Sequence, residues 1–178
     1  MKQTAFFLLG CVMAGSVAHA QSVAEKTGLN SLVGTAPTTA DFVKEAAISD
    51  LFEIRSSELA LQKGDADAKA FANRMVTDHT KTSDQLKAMV DDGSVKATLP
   101  TALDSSHQAK LETLTRLTGA EFERQYKEDQ VSGHEDAVSL FQRYGNGGDD
   151  KTLTAWAKKT LPTLQEHLRM AKGLNAST

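Results

Sequence analysis

The chain is 178 residues long, 40% hydrophobic and 24% charged, with a formal net charge of −3. A chain of this length carries a sizeable core in one domain, and this composition excludes a disordered polypeptide. The weak negative balance gives no sign of the concentrated basic face that nucleic-acid binding requires, and 6% aromatic residues with only three prolines argue against a strand-rich sandwich.

Residues 1–20 read as a signal peptide. Lys2 supplies a positive start, residues 5–17 are almost unbroken apolar sequence, and Ala18-His19-Ala20 is a small-x-small cleavage site. The mature chain is therefore expected to begin at Gln21 and to be exported, to the periplasm or the outer-membrane region. The apolar run is short for a transmembrane helix, and no span is expected once it is removed. Leu8-Leu9-Gly10-Cys11 offers a rival reading as a lipoprotein box, which the few apolar residues before Cys11 disfavour. With Cys11 gone, no cysteine remains, so an exported fold would rest on its packed core and not on disulfides. Residues 21–40, rich in Ser, Thr, Gly and Ala and carrying Pro37, read as a flexible leader ahead of a bundle over 41–174.

A first helix is predicted from Asp41 to about Lys63, with Thr39 or Asp41 as N-cap and with Leu51, Ile54, Glu58 and Leu61 on one stripe. Gly64 ends it and Asp65 or Asp67 caps the next helix, about Ala66 to Val90, whose face holds Phe71, Met75, His79, Thr82, Leu86 and Met89. Asp91-Asp92-Gly93 stops that helix. A crossover over about 93–120 carries Pro100 and a shorter periodic piece through Leu103, Leu111, Leu114 and Leu117, closed by Gly119. A third main helix follows from about Glu121 to Tyr144, with Tyr126, Val131, His134, Val138 and Phe141 inward, and Gly145-Asn146-Gly147-Gly148 reads as a break. The last helix runs from about Asp149 to Leu174 through Leu153, Trp156, Thr160, Leu164, His167 and Ala171, with Pro162 expected to kink it. The halves echo each other: Phe42 and Phe122 each stand twenty residues before a glutamine, Gln62 and Gln142, and His79 and His167 sit in corresponding second helices. Two helical hairpins joined by a long crossover are the ferritin-like arrangement of an all-α four-helix bundle.

Several spaced motifs carry a resemblance. Glu53-Ile54, Leu59-Ala60-Leu61-Gln62-Lys63, Phe71-Ala72, Met75-Val76-Thr77-Asp78-His79, His134 and Leu161-Pro162-Thr163-Leu164-Gln165-Glu166-His167 resemble the bacterial family known as domain of unknown function 4142. The resemblance covers roughly residues 39–173 and implies a ferritin-like exported bundle, with no established activity. One position departs from the pattern: Gly133 stands before the third-helix histidine where the family carries an acidic residue.

Each main helix carries one notable polar residue, namely Glu53, His79, His134 and His167. Imidazole and carboxylate suit Zn, Cu, Fe or Ni, and facing bundle helices aim side chains at a common point. The di-iron signature is missing, because Val76, Val131 and Leu164 stand where Glu-x-x-His would need its carboxylates. Counting along the helices puts His79 and His134 at one level and His167 about two turns away unless the Pro162 kink changes the register, so the four groups are not expected to share one coordination sphere. The plainer expectation is a buried polar network of Glu53, Asp78, His79, His134 and His167, with Glu53 bonded to His79 or His134. Asp78 then reads as a solvated or partner residue and not a general base, and Glu58 as an edge residue reaching water. No serine elbow, phosphate loop or mature cysteine nucleophile is present, so the balance leans away from an enzyme. The leading expectation is a non-enzymatic protein of the cell envelope with a binding, structural or stress-related role; the sequence names no partner and leaves open an envelope protein or a second copy of the chain. The alternative is a ferritin-like metal-binding or redox protein of the periplasm.

Overall fold

The computed structural model describes residues 34–175, and all regular structure among them is helical. The helices are α1 (Thr39–Lys63), α2 (Ala66–Asp91), α3 (Ser105–Arg116), α4 (Gly119–Gly147) and α5 (Lys151–Gly173). The signal peptide, Cys11 and residues 21–33 of the leader lie outside the described residues; residues 39 and 40 of the expected leader belong to α1.

The helix starts follow from local chemistry. Thr38, one residue before the expected caps, accepts from the Asp41 backbone N–H at 3.1 Å. Asp65, Asp104 and Asp150 accept in the same way from Ala68, His107 and Leu153, at 2.8, 2.8 and 2.9 Å. Each such cap contributes about 1 kcal/mol by satisfying an otherwise orphaned donor. Two expected boundaries are corrected. Gly119 does not close the crossover helix but opens α4, at φ +56°, a conformation that favours glycine. The glycine-rich stretch does not break the chain at Gly145, because α4 continues to Gly147. There the missing side chains serve close approach: a Cβ on Gly145 would lie 3.2 Å from Lys158 Cγ on α5, and one on Gly147 would lie 3.2 Å from Ala36 Cβ. Pro162 lies inside α5, which extends on both sides of it.

The helices pack chiefly as α1 on α2 and α4 on α5, with α1 also against α4 and α2 against α5. Polar contacts fix the directions. At one end Thr39 of α1 meets Tyr144 of α4, and Trp156 Nε1 of α5 donates to Gln85 of α2 at 2.9 Å. At the other end Lys63 Nζ donates to the carbonyls of Leu114 and Leu117, next to the start of α4, and Asn175 donates to Asp67. Neighbouring long helices are thus antiparallel. The crossover between α2 and α4 runs the length of the bundle, with α3 lying on α1 and α4.

Two apolar cores fill the interior. One gathers Phe42, Val43, Ala46, Leu86, Phe141, Tyr144, Leu153, Trp156 and Leu164. The other gathers Phe52, Ala60, Phe71, Met75, Leu114, Phe122, Tyr126 and Ala171. Phe42 and Phe122, the equivalent positions of the sequence echo, therefore serve opposite cores. The expected α1 stripe is misread, and on α4 the expected Val131 and Val138 are only half-buried. Leu51, Ile54 and Leu61 are only half-buried and Glu58 is exposed, while Phe42, Ala46, Asp50, Glu53, Ser57 and Ala60 point inward. The middle of that inward face is polar because it borders a layer of histidines.

Candidate functional site

His79, His134 and His167 are each 1–2% exposed and stand face to face between the two cores. Their ring centroids are 5.5 Å apart for His79–His134, and 5.4 Å for His79–His167 and for His134–His167. One nitrogen of each ring belongs to a set lying within 4.8 Å of one another. The expectation that His167 falls two turns away is overturned. With α4 extended to Gly147, His134 lies 13 residues before the hairpin bend and His167 lies 16 after it. That offset is about 4.5 Å, less than one turn.

The outward nitrogens are held. His134 donates its Nδ1–H to the Gln130 backbone carbonyl at 2.8 Å, and a carbonyl can only accept, so the Nε2 lone pair of the neutral ring is free. His167 Nε2 lies 2.9 Å from the Asp78 carboxylate, which also accepts from Arg74; this leaves Nδ1 facing inward. His79 Nδ1 lies 2.7 Å from Asp50. Among the described residues the three inward nitrogens, His79 Nε2, His134 Nε2 and His167 Nδ1, have no hydrogen-bond partner.

Burial decides the protonation of the set. Loss of solvent, reinforced by positive charge at His79, drives the His134 pKa down to about 3. Burial brings His167 down to about 4 despite its bond to Asp78. Burial also opposes charge on His79, but the hydrogen bond and the charge of Asp50, with Glu53 and Asp78 nearby, outweigh it and push its pKa up. Two rings are therefore neutral donors at neutral pH.

Of the residues singled out in the sequence, the three histidines come together and Glu53 does not join their inward atoms. Glu53 Oε1 sits 3.9 Å from Nδ1 of His134, the outward edge of that ring, so the expected Glu53–histidine hydrogen bond is absent. Gly133 makes room for it, since a Cβ there would lie 3.0 Å from Glu53 Oε1. Asp78, half-buried, is a partner of His167. Asp50 is the residue that sequence reasoning missed. It accepts from His79, from Thr82 Oγ1 at 3.0 Å and from Ser83 Oγ at 3.3 Å. Its signal was its place on the Phe42–Ala46–Glu53–Ser57–Ala60 stripe, which the leucines of the neighbouring face concealed. His107 lies apart in α3, against Phe52 and Asp104.

Glu53 yields a pH prediction for the metal-free protein. Burial raises its pKa from 4.5 to about 7. A carboxyl whose folded pKa lies above its unfolded value contributes stability at low pH and loses it as pH rises through the folded pKa. Glu53→Gln keeps the neutral shape and removes that loss. Relative to wild type, the variant is expected to gain stability between pH 4.5 and 7, on the order of 1.4 kcal/mol per pH unit at most. Urea unfolding at several pH values measures it, and parallel curves for the two proteins would contradict it.

Fold and site together define the class: an all-α helical bundle with a buried three-histidine cluster at mid-length. The chain belongs to the family described as "Domain of unknown function (DUF4142)", whose model matches residues 20–174. No curated protein and no solved structure matches it.

Proposed function

We propose that this protein binds a single transition-metal ion through His79 Nε2, His134 Nε2 and His167 Nδ1. The observation that carries the reading is that three fully buried imidazole nitrogens converge with no hydrogen-bond partner among them or from the surrounding helices. A histidine network selected only for structure would pair its inward nitrogens, because each buried unpaired polar atom costs about 1–3 kcal/mol. The outward nitrogens carry the second supporting feature. Carboxylate or carbonyl acceptors on the far side of a ligating imidazole fix its tautomer and orientation. Binding at about 2.1 Å from each nitrogen requires the rings to close in by roughly an ångström, within reach of small side-chain rotations.

Nitrogen donors of this kind suit Zn, Cu, Ni or Fe(II) over Mg or Ca. Among the described residues no carboxylate joins the inward set, so our ferritin-like reading concerns the topology and not a di-iron chemistry. We read the protein as an exported, non-catalytic metal carrier or metal-stabilised component of the cell envelope, on the support of the signal-like residues 1–20. The test is elemental analysis of tag-free protein, followed by titration of metal-free protein with Zn2+ and Cu2+. One ion per chain is expected, with loss of stoichiometric binding in His134→Ala. Metal-free protein that takes up neither ion would end this reading.

A further inference from the structure

The carboxylates behind the triad differ in one respect. Asp78 is partly exposed and already has a cation, the Arg74 guanidinium, on the oxygen that faces His167. Asp50 is 6% exposed, and its partners are His79 and two neutral hydroxyls, Thr82 and Ser83. Three donors converge on it, as an ionised, acceptor-only carboxylate demands. No lysine or arginine pairs with it among the described residues. A buried anion without a cation is costly, and among the described partners of Asp50 it is the His79 ring that can bring it positive charge.

We propose, resting on the metal-site reading above, that Asp50 is the counter-ion of the site: acting through His79, it balances charge on the bound ion and makes the site select dications over monocations. Asp50 is thus a positioning and charge-setting residue that does not itself touch the metal. Its carboxylate polarises the His79 Nδ1–H and strengthens Nε2 as a donor, and the effect grows with the charge of the ion. A backbone carbonyl, as behind His134, orients a ring without supplying a full negative charge.

The experiment uses the mature chain purified without a tag and stripped of metal. Asp50→Asn keeps an oxygen that can accept from His79 and removes the charge. It is expected to weaken Zn2+ binding by about 10- to 100-fold, the range found when such outer partners are changed. Ag+ binding is expected to weaken far less. Each tenfold by which the variant loses Cu2+ relative to Cu+ raises the potential of its copper couple by about 59 mV. Thr82→Val, which removes a donor to the same oxygen but keeps the charge, is expected to leave all three readouts close to wild type. Equal losses of Zn2+ and Ag+ in Asp50→Asn, or equal losses in Asp50→Asn and Thr82→Val, would overturn the proposal and leave the metal site standing. If Asp50→Asn does not fold, the wild-type couple decides: a potential below that of copper in imidazole solution is expected, and one above it overturns the proposal. A wild-type chain that binds no ion at all overturns the site reading itself.

Discussion

Metal-free protein supplied with Zn2+ or Cu2+ at a free concentration about 1,000 times the dissociation constant is expected to gain about 4 kcal/mol of stability. For a domain of this size that corresponds to a rise in melting temperature of roughly 8–16 °C. The ligands explain why the effect should be large. His79 belongs to the α1–α2 hairpin, while His134 and His167 belong to the α4–α5 hairpin. The contacts between hairpins, α1 on α4 and α2 on α5, are sparser than those within each hairpin. An ion at the triad therefore ties together the two units least bound to each other, and the unfolded chain offers no equivalent site. Calorimetry with and without the ion measures the gain. His134→Ala should melt at one temperature in both conditions, and a shift persisting in that variant would place the ion elsewhere.

Phe42→Ala is expected to cost about 3–5 kcal/mol, a large part of the 5–15 kcal/mol typical of a whole domain. Phe42 is fully buried and stacks on Tyr144 with centroids 4.0 Å apart and planes at 11°. It also meets the edges of Phe141 and Trp156, at 5.0 and 6.2 Å. Three aromatic neighbours leave little freedom to collapse into the vacated volume, so the cavity term stays high. Residue 42 lies two turns before Asp50 on α1, outside the histidine layer. Below its lowered melting point the variant should keep the wild-type metal stoichiometry. Chemical denaturation measures the cost, and a loss under about 1 kcal/mol would mean that the aromatic cluster repacks.

The helices were most legible where their inward faces are apolar. On α2 and α5 the stripes Phe71–Met75–His79–Thr82–Leu86–Met89 and Leu153–Trp156–Thr160–Leu164–His167–Ala171 could be taken straight from spacing, and all are buried except Thr82 and Met89, which are half-buried. On α1 the same rule selected the wrong face. Asp50, Glu53, Ser56 and Ser57 are buried polar residues, so the half-buried leucines next to them looked like the core. The same blind spot hid Asp50 from the site, since a carboxylate becomes legible as a ligand's partner only when the ligand's position is known. His167 was misplaced for a different reason. Glycines that let helices approach closely look, in sequence, like glycines that end them, and a few residues of error at a bend shifts a whole helix against its neighbour.

The histidine layer also acts on the alignment of the rods that carry it. Sliding α5 along α4 by one turn, about 5.4 Å, would carry His167 out of the ring cluster and bring Leu164 or Ala171 opposite His134. Asp78 would lose its imidazole, while the Asp50–His79 pair, held within the α1–α2 hairpin, would face an apolar residue instead of a third ring. Greasy cores above and below would tolerate such a slip, because leucine facing leucine is nearly indifferent to where along the rod it sits. The polar stratum is not indifferent, and it works as a vernier that singles out one setting of the two hairpins among several of similar apolar contact.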